Sequence, residues 1–225
     1  MTFNEKYLYE SVTEYDIDES KKYDMKLGAA KQIILSGYRG EKICVRLVSD
    51  TLLTLENDFK VKIDDTRNRI DVGVIRKDGV TEAAAKEAVT VFVRIPLSYI
   101  GKIELAANAE TVEVHSLDCD DIELNLKTQN VVLEDVVGKV EIDCNLDMNV
   151  ICRPINGEIV INQVSAASKI SVPKDAVFTA VAKGVGTSIS YEKNGAPTEA
   201  FDSPGANNII ELNGMKSKLV ICTLE

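Results

Sequence analysis

The chain has 225 residues and a formal net charge of −10, enough for one large domain or two small ones and poorly suited to non-specific attraction to nucleic acid or an anionic membrane. Aromatic residues make up 5%, with no Trp, which favours a thin core of stacked aliphatic rows over a deep aromatic pocket. Five cysteines (Cys44, Cys119, Cys144, Cys152 and Cys222) form no C-x-x-C pair and read as small buried hydrophobes in a reducing compartment, not as a disulfide frame or zinc site.

Residues 1–30 are polar and charged, with Tyr7, Leu8, Tyr9, Val12, Tyr15 and Ile17 scattered among them. They are expected to form an N-terminal arm or cap, as a short helix, an edge strand or a segment docked on the body. The start has no basic residues followed by an apolar run, and no apolar stretch nears the roughly 20 residues of a membrane span. The expectation is a cytoplasmic chain without membrane insertion.

Residues 31–225 read as one all-β domain. Ile33 to Leu35, Ile43 to Leu47, Leu53-Thr54-Leu55, Phe59 to Ile63 and Ile70 to Val74 alternate apolar and polar residues between Ser-Gly, Arg-Gly and Asn-Asp turns, the pattern of half-buried strands. Thr81-Glu82-Ala83-Ala84-Ala85-Lys86-Glu87-Ala88 is the one predicted helix, with Thr81 or Gly79 at its start and Glu82 at the positive end of its dipole. Val89 to Pro96 returns to strand, and Pro96 ends it because proline cannot donate to a ladder.

Regular coils are predicted over about 91–182. Ile103-Glu104-Leu105, Ile122-Glu123-Leu124, Val140-Glu141-Ile142 and Ile159-Val160-Ile161 begin 19, 18 and 19 positions apart. Each is followed by a second triplet: Val112-Glu113-Val114, Val131-Val132-Leu133, Val150-Ile151-Cys152 and Ile170-Ser171-Val172. A fixed period near 19 built from strand-length pieces is the signature of a stacked β-solenoid, similar to a parallel β-helix. Leu117, Val136 and Ile155 supply a third apolar site per coil, and Gly138 and Gly157 stand where a corner needs positive φ. Beyond Val172 the regularity lapses. Pro173 to Phe178 is expected to continue a strand, Gly184-Val185-Gly186 to turn into another, and residues 192–208 to form a turn-rich loop. The motif returns at Ile210-Glu211-Leu212 and Leu219-Val220-Ile221, so a capping coil is expected over about 209–225, with Lys216 and Lys218 guarding its edge.

Two exterior features stand out. Glu104, Glu123 and Glu141 share one outward column, with Asp118, Asp120, Asp121, Asp143 and Asp147 near corners. The column reads as a solvated face moderated by Lys102, Lys127 and Lys139, with a cation site or an acid/base pair as the sharper alternative. On the second strand, Val132 and Ile151 point outward side by side, and an exposed aliphatic pair on a flat face marks something that covers it. The helix near Ala83–Ala88 or the N-terminal arm is the internal candidate, and a subunit or partner interface is the other. His115, the single histidine, lacks a sequence-near nucleophile and reads as a corner surface residue. No motif calls for a cofactor or a metal.

Several of these features together resemble the bacterial putative-adhesin family of β-strand-repeat type. They are the strand into Pro96, the Gly-x-Ile/Val units Gly101-Lys102-Ile103, Gly138-Lys139-Val140 and Gly157-Glu158-Ile159, the exit Ile170 to Ala176, Val185-Gly186-Thr187, and Ile210 to Gly214. The resemblance spans roughly residues 33–225. It implies a right-handed β-solenoid, no established catalytic residues, and surface display. The reading is a non-catalytic structural or interaction protein that binds a protein partner or itself through its faces. A carbohydrate-active enzyme or carbohydrate-binding solenoid, argued by analogy of fold alone, is the alternative. A cytoplasmic accessory of a membrane or envelope-stress system is a third reading.

Overall fold

From Lys102 onward polar and apolar residues alternate, and burial follows with the same period of two. Ile103, Leu105, Ala107 and Ala109 are buried, and the residues between them face outward, because successive side chains of a strand point to opposite faces. The computed structural model, which describes residues 5–52 and 54–224, is all-β with two short helices. In chain order its first half comprises β1 (Tyr9–Asp16), β2 (Lys22–Tyr38), β3 (Lys42–Ser49), α1 (Leu55–Asp58), β4 (Phe59–Asp65), β5 (Arg69–Arg76), α2 (Glu82–Ala88) and β6 (Thr90–Pro96). The central strands are β7 (Lys102–Leu126), β8 (Asn130–Asp143), β9 (Asn149–Arg153), β10 (Asn156–Val164) and β11 (Ala167–Val172). The last are β12 (Thr179–Lys183), β13 (Ser188–Lys193), β14 (Ala196–Thr198), β15 (Ile209–Met215) and β16 (Lys218–Thr223). All pair into one mixed, unclosed sheet.

Two parallel ladders run through the middle of this sheet. On the first, Tyr23 pairs with Ile103, Ile122 with Val140, Val140 with Ile159, and Ile159 with Ile210. Ile103 and Ile122 both lie in β7. The Asp120 amide donates to the Ile100 carbonyl at 2.7 Å, and the Lys127 amide to the Ala107 carbonyl at 2.9 Å, on either side of them. The second ladder runs Ile33, Val112, Val131, Val150, Ile170, Ile221. Every one of these residues is buried, and full burial of each aliphatic side chain contributes roughly 1.5–3 kcal/mol. Leu117 pairs with Val136, and with Ile155 they are buried as well. The predicted triplets are therefore rungs, each set above the one before.

The rungs do not stack in sequence order. β15 lies between β10 and β12, and β16 between β11 and β13. The C-terminal segment is thus inserted beneath residues 179–198. The cap expected of residues 209–225 falls instead to β12, β13 and the hairpin strand β14. The physical reason is that parallel pairing selects only for aliphatic register. Ile210 offers Ile159 a larger buried partner than Ala180, which stacks one step further out.

At the opposite end the parallel order gives way. β6 is parallel to β2, but β3 pairs antiparallel with β6 and β1 antiparallel with β3, leaving β1 as an edge strand; β4 pairs antiparallel with β5. α2 matches its prediction: Thr81 is extended and its Oγ1 accepts from the Ala84 amide at 3.1 Å, a standard N-cap. A second helix, α1, corrects the expectation of a single helix. It replaces the strand expected near Leu53-Thr54-Leu55, of which Leu53 lies outside the described residues. Leu55 is its one buried residue, and the Thr54 hydroxyl donates to the Asp58 carboxylate at 2.6 Å. Pro173 to Phe178 is likewise not a strand: the Ala176 amide turns back to the Pro173 carbonyl at 3.1 Å.

Candidate functional site

The acidic column is longer than the sequence suggests, and it is neutralised rung by rung. Asp71 pairs with Asp24, Asp24 with Glu104, and Glu123 with Glu141. Strand alternation puts a second outward column two residues upstream, and it is basic where it needs to be. Lys22 Nζ lies 2.9 Å from Glu104, and Lys102 bonds Glu123 while reaching Asp121 at 3.2 Å and Glu104 at 3.6 Å. Lys139 lies 2.7 Å from Glu141, and Arg69 reaches Asp71 at 2.9 Å and Asp24 at 3.4 Å. The lysine bond to Glu123 raises the Lys102 pKa, and lysine bonds lower those of Glu104 and Glu141. Groups tied in this way are poor proton donors near neutral pH. Lys127, expected to help, instead lines a groove at the next corner. Among the described residues no group of three or more His, Cys, Asp or Glu side chains is placed to hold a metal ion.

His115 is not the free corner residue that the sequence suggests. Its Nε2 lies 2.8 Å from Glu113 and its Nδ1 3.1 Å from Glu134, one partner two residues back and the other on the next rung. Hydrogen bonding to Glu113 raises the His115 pKa against partial burial. The five cysteines are free and buried, and burial pushes the thiols of Cys119 and Cys152 up to about 12, which leaves them inert as nucleophiles.

Val132 and Ile151 are register partners on β8 and β9, and both are half-exposed on the outer face. The described parts of both internal candidates lie elsewhere. α2 sits at another corner, where Glu82 bonds Asn108. The N-terminal segment places Tyr7 on a separate outer cluster of Ile34, Val48 and Phe92. Ile34 belongs to the same outward column, but Glu113 intervenes between it and Val132. On the strand positions either side, Glu134 pairs with Arg153 and Asn130 with Asn149, all outward by alternation.

The other exterior feature was not legible as a site. A groove of about 1010 Å³ runs along the corner after the first ladder and crosses successive rungs. Its lining includes Ala106, Asn125, Asp143, Asn162 and Asn213, together with Lys26, Asn108, Lys127, Asn145, Leu146 and Val164. The sequence signal was the recurrence of Asn or Asp one residue after every first triplet but Ile103-Glu104-Leu105 (Asn125, Asp143, Asn162, Asn213), which reads equally well as turn chemistry.

No protein-family model and no curated protein matches the sequence. Among solved structures the chain is similar to a putative cell adhesion protein from Clostridium sporogenes, at 14% identity and TM-score 0.48 over 96% of this chain and 100% of that one. It is also similar to a putative adhesin from Bacteroides fragilis, at 12% identity and TM-score 0.39 over 96% and 98%. A putative lipid binding protein from Parabacteroides distasonis follows, at 10% identity and TM-score 0.32 over 96% and 97%. The chain is thus similar to bacterial structures that carry the putative-adhesin name.

Proposed function

We propose that the protein is a non-catalytic interaction protein, a right-handed β-solenoid of about 19-residue coils, that associates with a second copy of itself through the outer face of β8 and β9. The observation that carries the reading is the self-complementarity of that face. A two-fold axis parallel to the strands and midway between β8 and β9 exchanges the two rungs. It sets Val132 against Ile151 of the second copy, Glu134 against Arg153, and Asn130 against Asn149. An isologous contact requires one patch to match itself in this way: apolar side chains at the centre, opposite charges on one flank and amides on the other. Two further observations support a non-catalytic role, the lysine-neutralised acidic column and the inert thiols. The buried free thiols also support a reducing compartment such as the cytoplasm.

The flank charges provide the test. Glu134→Arg and Arg153→Glu each place like charges opposite one another and are expected to weaken self-association, measured by sedimentation equilibrium. The combined Glu134→Arg/Arg153→Glu swap restores the pairing and the association constant. Single variants that associate like the parent, or a swap as weak as either single variant, would contradict the proposed geometry.

A further inference from the structure

We infer that the axial groove binds an extended, uncharged, β-linked glycan. Its polar wall is a register column: Asn125 pairs with Asp143, Asp143 with Asn162, and Asn162 with Asn213. Parallel rungs stand about 4.8 Å apart, so the wall offers one amide or carboxylate per step over four rungs. Among the described residues the side chains of Asn125, Asp143 and Asn213 bond no protein group. Asn162 spends only its Nδ2, on Glu141 at 2.7 Å, leaving its carbonyl oxygen for the groove. A carboxamide donates and accepts without net charge, which suits hydroxyl groups and gives no preference to an ion.

Leu146 and Val164 add aliphatic surface to the lining, which also holds Lys26, Asn108, Lys127 and Asn145. Leu146 and Val164 are 44% and 45% exposed, and the row continues through Met215, the register partner of Val164, at 49%. Val185 follows at 78% exposed, its carbonyl accepting from the Lys216 amide at 2.8 Å. A row of exposed aliphatic side chains beside a row of amide and carboxylate groups with free hydrogen-bonding capacity is matched by a polymer with a hydroxylated edge and an apolar C–H face in every repeat. A β-linked pyranose chain is such a polymer. Two other extended ligands fit less well. A peptide recognised by strand addition needs free backbone groups at a sheet edge, whereas the strands under the groove are paired on both sides. An acyl chain satisfies the aliphatic row but buries the amides without partners, which is unfavourable for each. Asp143 in the wall and the net charge of −10 act against acidic glycans, and of the two lysines in the lining, Lys26 is paired with Asp24 at 3.7 Å.

This inference uses a different surface from the β8–β9 face and rests on the proposed function only in holding that bound glycan is left uncut. The test is isothermal titration of the full chain with cellohexaose, chitohexaose and mannohexaose, with hexagalacturonate as the charged control. Saturable binding to at least one uncharged hexamer is expected, and none to the control. The Asn125→Ala/Asn162→Ala variant is expected to bind at least about tenfold more weakly, the loss of one to two net hydrogen bonds. Val132→Lys/Ile151→Lys leaves the affinity unchanged. Absence of binding to all three uncharged hexamers, or affinity that survives the asparagine substitutions, would overturn the assignment. Chromatography of the recovered hexamer separates the two claims: shortened products would contradict the non-catalytic reading while leaving the groove as the binding site.

Discussion

A Cβ added to Gly157 would lie 2.1 Å from the carbonyl oxygen of Gly138, its register partner one rung below. Gly157 also holds φ at +130°, and Gly138 at +108°. Both the backbone conformation and the closeness of the rungs therefore demand glycine at this corner. Gly157→Ala is expected to cost about 3 kcal/mol or more, read as a lowered midpoint in chemical denaturation. The same substitution at Gly195, where a Cβ would meet nothing within 4 Å, retains the φ penalty without the clash and is expected to cost less. Equal losses at the two positions would mean that rung stacking does not set the requirement.

Lys102 is the shared cation of the acidic column, within reach of Glu104, Asp121 and Glu123. Its removal leaves carboxylates on adjacent rungs facing one another. Lys102→Met is expected to destabilise the fold by about 1 kcal/mol at low ionic strength, a modest value because the site is partly exposed and solvent screens it. The loss shrinks as salt is raised, so thermal unfolding in low and high sodium chloride gives the check.

His115 couples stability to pH in a direction fixed by its partners. Glu113, and less strongly Glu134, hold its pKa above 6.5; Arg94 and Arg153 lie further along the same outward column. A pKa raised by folding stabilises fully below the unfolded value and fades as pH rises through the folded one. Glu113 acts in the opposite direction: His115 lowers its pKa below 4.5, so its contribution is present above 4.5 and is lost as pH falls through the lowered value. His115→Gln is expected to reduce the melting temperature most between about pH 5 and 6.5 and to converge on the parent in alkaline buffer. A difference that grew with pH would reverse the assignment.

The buried columns were legible because burial on a strand has a period of two, and Ile103, Ile122, Val140 and Ile159 repeat it at nearly constant spacing. What escaped the sequence was whatever depends on which rung lies next to which. Lys22 and Glu104 are 82 residues apart, and nothing local announces their pairing. The insertion of Ile210 between Ile159 and Ala180 was hidden for the same reason, since any aliphatic triplet can stack on any other. Val132 and Ile151 were predicted as outward neighbours and are register partners, whereas the Glu134–Arg153 pairing that gives their face its symmetry emerged only with the register. The groove was missed because Asn125, Asp143 and Asn162 fall where a turn would also choose them.

The most direct test of the proposed function is sedimentation velocity of the parent chain and of Val132→Lys/Ile151→Lys over a range of concentrations. The parent is expected to shift toward twice its 24.7 kDa mass as concentration rises. The variant, folded by circular dichroism, stays at the monomer mass, because four lysines would meet at the centre of the contact. A parent that remains monomeric throughout, or a variant that associates as the parent does, would contradict the assignment of this face.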